Sequence, residues 1–196
     1  MTSGPKKAKA IDTETVRQKV AELINNFEAE LRSGDLRMKV LALIPIFHKL
    51  REMGKSLIPI EHASAARDRI LFYFRQYPGT VIHGDELLVV SGIQEYARRL
   101  RELRVQFGWT IVNGDTIKEM CAEGADEIPE ALISMKPNEY VLLNAKEDRD
   151  AAYRWRVANK IRKEHGSVRD KILKFLRVNI GRMVTNEELR YVAGDK

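Results

Sequence analysis

Four arginines, Arg98, Arg99, Arg101 and Arg104, crowd the stretch between Ser91-Gly92 and Gly108, and Gln94 precedes them. On a helix the spacing i, i+4, i+7 puts Gln94, Arg98 and Arg101 on one stripe. Arginine pairs bidentately with guanine in the DNA major groove, and glutamine pairs likewise with adenine. Arg99 and Arg104 flank the stripe, where phosphates would take them. The competing reading is a solvated helix face on which Glu95 and Glu102 pair with Arg98, Arg99 and Arg101. Ser91 and Gln94 also have the spacing of a capping box, which would occupy the Gln94 side chain.

Other charged stretches are weaker candidates. Arg149, Arg154, Arg156, Lys160, Arg162 and Lys163 form a basic run that could follow a phosphate strand, although Glu147, Asp148 and Asp150 open it with the opposite sign. Lys6, Lys7 and Lys9 make a basic arm of the kind that enters a minor groove. Residues 113–139 are net acidic, with Glu123, Asp126, Glu127 and Glu130, and hold only Lys118 and Lys136 as basic groups; that suits a solvated loop or a protein contact better than a phosphate contact. For catalysis there is no support. His48, His62, His83 and His165 are scattered, and His83-Gly84-Asp85-Glu86 reads as a helix start with acidic residues in its first turn. Phosphate-loop, nucleophile-elbow and dinucleotide-turn motifs are missing, and no catalytic residue, metal ligand or cofactor is expected in this chain.

The elements that would carry these residues can be read from apolar spacing and turn residues. Residues 12–31 read as a helix through Val16, Val20, Leu23, Ile24, Phe27 and Leu31. A second helix, capped by Asp35, runs to about Met53 with Leu36, Val40, Leu43, Phe47 and Leu50 as its buried stripe, a kink at Pro45 and a stop at Gly54. Residues 64–76 form a third, with Ile70, Leu71, Phe74 and Tyr77 inward, ended by Pro78-Gly79. Next come a very short strand at Val81-Ile82, a short helix over 84–90 with Leu87 and Val90 inward, and a Ser91-Gly92 turn. The arginine-bearing helix, Ile93 to Phe107, has Ile93, Tyr96, Leu100, Leu103 and Phe107 on its apolar side and Gly108 as its stop. Trp109–Val112 and Tyr140–Leu143 pair as a hairpin around a long excursion with one short helix near Thr116–Ala122. Helix, strand, helix, turn, helix, hairpin is the order of a winged helix-turn-helix. A charged helix over 145–165, with Tyr153, Trp155, Val157, Ala158 and Ile161 as its apolar residues, links the hairpin to the C-terminal thirty residues or so.

The 196 residues, 44% hydrophobic and 32% charged, suffice for real cores in small domains, and the net charge of +6 permits an anionic partner. One cysteine, Cys121, rules out an internal disulfide and argues against a cysteine zinc site. Val40–Phe47, the longest apolar stretch, is too short to span a bilayer, and no signal peptide opens the chain. A cytoplasmic protein is expected.

The sequence also repeats itself. ARDRILFYFRQYPGTVIHGDELLVVSG (66–92) aligns without gaps to VRDKILKFLRVNIGRMVTNEELRYVAG (168–194). Arg67, Asp68, Ile70, Leu71, Arg75, Gly79, Glu86, Leu87, Val90 and Gly92 recur as Arg169, Asp170, Ile172, Leu173, Arg177, Gly181, Glu188, Leu189, Val192 and Gly194. The first copy runs on into the arginine helix, whereas the second meets only Asp195-Lys196. A half-built second winged helix would expose its core, so the expectation is a piece of a longer protein, or a stub packed on the linker helix or on another copy.

The repeat, with IQEYARRLRELRVQFGW (93–109), KPNEYVLL (136–143) and the upstream LRMKVLALIPIFHKLREMGKSLIP, resembles the N-terminal region of bacterial restriction-type HNH endonucleases, over roughly residues 35–196. The resemblance implies a DNA-reading module in bacterial defence, followed in the parent protein by an HNH nuclease, a hydrolase using a divalent metal; no nuclease residue carries over. The expected fold is mainly α (α+β): a flexible basic arm (1–10), an N-terminal helical region (11–60), a winged helix (61–144), a linker helix (145–166) and a truncated second winged helix (167–196). The expected partner is double-stranded DNA, bound through Gln94, Arg98, Arg99, Arg101 and Arg104, and self-association stays open. A winged-helix transcription regulator and a protein-interaction module are the alternatives.

Overall fold

A computed structural model of the chain describes residues 12–33, 35–122, 124 and 128–194. The basic arm, Glu123, Asp126 and Glu127 fall outside the described residues. The chain divides into two compact units, residues up to 76 with 82–96, and residues 77–81 with 97–196.

In the first unit, α1 (Thr13–Ser33) and α2 (Leu36–Ser56) form an antiparallel hairpin, closed at its open end where the Thr13 hydroxyl donates to Ser56 O at 3.1 Å. Asp12 caps α1: the Thr15 hydroxyl and backbone N–H donate to its carboxylate and hold its pKa below the ordinary 3.8. Asp35 caps α2 through Met38 N at 2.8 Å, as the sequence indicates. α2 continues through Pro45. Its inward face is not the expected one. Val16, Val20 and Ile46 are buried, whereas Leu36 is 79% and Phe47 64% exposed, and Val40 and Leu50 are open as well. The apolar period of α2 is broad enough to serve two faces, and among the described residues of this unit it is the face turned to α1 and to α4 (Gly84–Ser91) that is covered. Gly54 is no helix stop. It lies buried inside α2, where a Cβ would stand 2.4 Å from Val89 O, so glycine is what lets α2 and α4 approach.

α3 (Ala66–Gln76), β1 (Ile82–His83) and α4 match the expected pattern to within a residue or two. Ile70, Phe74, Ile82 and Leu87 are buried, but Tyr77 is half exposed. Arg69, a residue to which the sequence drew no attention, is buried and donates to three main-chain carbonyls: Ser64 O at 2.7 Å, Val90 O at 3.0 Å and Ser91 O at 2.6 Å. Its guanidinium sits at the negative C-terminal end of α4, where the helix dipole favours a cation. Burial lowers its pKa, and the neighbouring Asp68 charge opposes that shift. His83 opens α4 as an N-cap in a reciprocal capping box with Glu86, so the His-Gly-Asp-Glu run starts a helix, as expected.

The second unit holds α5 (Tyr96–Phe107) from Ala97 on, β2 (Ile111–Asn113), α6 (Gly114–Ala122), α7 (Glu130–Ile133), β3 (Glu139–Leu142), α8 (Arg149–Arg162), α9 (Val168–Val178) and α10 (Asn186–Ala193). β2 and β3 pair antiparallel with Ile111 opposite Leu142, Val112 opposite Val141 and Asn113 opposite Tyr140. The excursion between them is more than a loop: Ile117, Leu132, Met135 and Val141 form a small core there, and α7 was not anticipated. A second core joins Val105 of α5 to Trp155, Ala158 and Ile161 of α8, Phe175 of α9 and Val192 of α10. At the end of α5, Gly108 has φ 69° and a Cβ there would stand 1.9 Å from Asp148 O; Asp148 N returns a 2.8 Å hydrogen bond to Gly108 O and its carboxylate caps α8. The described residues are mainly helical with a minor share of strand, and no described helix is long and apolar enough to cross a membrane.

The two sequence copies have the same local build. Helices of 11 and 8 residues recur at the same offsets, each second helix opens with a capping box (His83 with Glu86, Thr185 with Glu188), and Gly79, Gly92, Gly181 and Gly194 all have positive φ. The buried faces differ. Phe74 and Leu87 are fully buried, while their counterparts Leu176 and Leu189 are open or half-buried, and the second copy buries Phe175 instead.

Candidate nucleic-acid interface

The arginine helix is three residues shorter at its start than expected. Ser91 is the last residue of α4, buried, and Gly92 closes that helix in the left-handed conformation with φ 63°. The Ser91 hydroxyl serves this turn, taking the Ile93 N–H at 3.3 Å, so no capping box with Gln94 forms. Gln94 is exposed in the turn before α5 rather than on the helix, and the stripe linking it to Arg98 and Arg101 is lost.

The arginines divide by environment. Glu102 lies at i+3 from Arg99 and receives its guanidinium on both carboxylate oxygens, at 2.6 and 2.8 Å, which is the ordinary helix-surface pairing. Arg98 stands 3.6 Å from the same carboxylate and remains 68% exposed. Arg104 is half-buried, and its Nε is shielded from solvent with no hydrogen-bond partner among the described residues. Arg101 is exposed, with its Cζ 5.3 Å from the centroid of the Tyr191 ring. Leu100 and Leu103 hold the opposite side of α5 in the protein interior. Thus α5 turns Arg98 and Arg101 outward, commits Arg99 to an internal pair and draws Arg104 partly in.

The basic run of α8 divides in the same way. Arg149, Arg156, Lys160 and Lys163 are exposed or half-exposed at helical spacing on one side. Arg154 points inward to Glu188 at 2.9 Å, a pair in which the arginine side chain is 10% and the glutamate 1% exposed. Arg162 lies with its Cζ 4.4 Å from the Tyr191 centroid. Neither Arg101 nor Arg162 pairs with a carboxylate among the described residues. The sequence held a faint sign of this arrangement: Tyr191 occupies the repeat position at which the first copy has Val89.

Among the described residues, no group of three or more His, Cys, Asp or Glu side chains could hold a metal ion. A family described as the KpnI N-terminal domain matches residues 67–143 and 169–196, which take in both copies of the repeat and the hairpin. No curated protein and no solved structure matches the chain. The family match overturns the assignment to HNH endonucleases: the chain aligns with the N-terminal domain of KpnI rather than with an HNH-type protein, and no cluster among its described residues resembles a nuclease metal centre. The reading as an HNH target-recognition module is therefore withdrawn, and with it the nuclease and hydrolase descriptions.

Proposed function

Since the chain belongs to the KpnI N-terminal domain family, we propose that it is a domain of a KpnI-type restriction protein whose own work is to contact double-stranded DNA through α5. The observation that carries this reading is the outward pair Arg98 and Arg101 on a helix whose other side is anchored in the interior. The element order α3-β1-α4-α5-β2-β3 and the antiparallel β2–β3 hairpin support a winged helix over residues 64–144, with α5 as the helix that enters a major groove. In that reading α6 and α7 elaborate the wing, whose acidic content keeps it off the phosphates. Arg98 is the residue to meet a base edge. Arg99 and Arg104 are secondary contacts, since each would first have to leave its present surroundings, and Gln94 contacts DNA only from the turn. The same proposal places the protein in the cytoplasm, where duplex DNA is at hand.

The test is an anisotropy titration of labelled duplexes of differing sequence. Arg98→Ala is expected to weaken binding to the preferred duplex by about 1–3 kcal/mol and to narrow the difference between sequences. Parental binding by folded Arg98→Ala and Arg101→Gln variants would remove α5 as the contact.

A further inference from the structure

Two cations from different helices rest on one ring. Arg101 reaches Tyr191 from α5, and Arg162 reaches it from α8. Their guanidinium carbons can be no farther apart than those two centroid distances laid end to end. Neither guanidinium is paired with a carboxylate among the described residues. The ring itself is fixed. Trp155 meets it edge-on at 5.0 Å and 70°, and the Tyr191 hydroxyl donates to the Asn159 side-chain oxygen. Arg162 Nη2 also donates to Gly194 O at 3.4 Å; its remaining N–H groups, like those of Arg101, are donors that a phosphate oxygen can take.

We propose that Arg162 is a further DNA-backbone contact, paired with Arg101 on one stretch of phosphates, and that Tyr191 is the positioning residue for both. The inference rests on the reading that α5 meets duplex DNA. It gives the second copy of the repeat a role unlike the first. α10 does not enter a groove; it supplies the ring that aims two arginines, one of them on α5. A valine at this position, as in the first copy, would meet the packing needs of a helix but could hold no cation.

The experiment uses the 196-residue chain and a labelled mixed-sequence DNA duplex, titrated at several salt concentrations, with circular dichroism and thermal melting as checks on folding. Arg162→Gln is expected to weaken binding to all sequences alike and to flatten the plot of log affinity against log salt by about one unit, as loss of one phosphate contact does. Tyr191→Leu should flatten it at least as much, and Tyr191→Phe, which keeps the ring, should retain the parental slope. A parental slope for Arg162→Gln overturns the inference, as does a Tyr191→Phe variant that behaves like Tyr191→Leu. If Arg101→Gln weakens binding while Arg162→Gln does not, this inference fails and the α5 reading stands. If Arg98→Ala and Arg101→Gln both bind as the parent does, the α5 reading itself fails.

Discussion

Arg154 and Glu188 show what burial does to a charged pair. Glu188 is almost wholly enclosed, accepts from Arg154 Nε and also closes the capping box of α10 through Thr185 N at 2.9 Å. In the first copy the equivalent Glu86 closes the same box but takes a hydrogen bond from the Tyr73 hydroxyl at 2.6 Å instead. One box thus sits on a neutral partner and the other on a cation. Truncating Glu188 would leave a guanidinium out of water with nothing to neutralise it. Glu188→Leu is expected to cost about 3–5 kcal/mol in urea unfolding. Adding Arg154→Met should restore part of that loss, because two apolar side chains can occupy the space of the pair. A single variant within about 0.5 kcal/mol of the parent, the spread of surface substitutions, would mean the pair is not buried in solution.

At the level of elements, the helices were legible wherever capping residues and turn glycines bracketed them. Asp35 before α2, Gly79 after α3 and Gly92 after α4 do what their types suggest. Two errors share one physical cause, the blindness of local pattern to neighbours. Leu36, Val40, Phe47 and Leu50 recur at helical spacing, but spacing cannot say which of two apolar faces meets another element. Gly54 looked like punctuation and is a contact point, because the carbonyl it makes room for belongs to Val89 in a distant part of the sequence. The candidate site was legible as a set of arginines and not as an arrangement. That Glu102 would take Arg99 comes directly from helical spacing; that Tyr191 would take Arg101 depends on residues far apart in the chain. The α2 faces yield a direct test. Ile46→Ala is expected to cost about 2–5 kcal/mol, as truncation of a buried aliphatic side chain does. Phe47→Ser, one residue along, should stay within about 0.5 kcal/mol of the parent. Denaturant melts of dilute protein read both, and an equal loss for the two would show the stripe to be covered.

For the whole molecule, the family match spans both copies of the repeat yet leaves residues 144–168 unmatched, the stretch that contains α8. The segment that packs on the second copy, with Trp155, Ala158 and Ile161, therefore lies between the two matched stretches. The junction at Gly108 has a consequence for how the protein opens. The backbone of Asp148 occupies the place a side chain would take at Gly108, hydrogen-bonds back to it, and starts α8. The last turn of α5 and the first turn of α8 cannot separate without breaking the same few bonds. In hydrogen–deuterium exchange the amides of Gly108, Asp148, Ala151 and Ala152 should share one opening free energy and be lost together as denaturant rises. Gly108→Ala, which forces a side chain into the Asp148 carbonyl, should accelerate all four at once; acceleration of Gly108 alone would show two independent helix ends. With the four amides linked in this way, the fraying that helix termini ordinarily undergo is replaced at this corner by opening in one step.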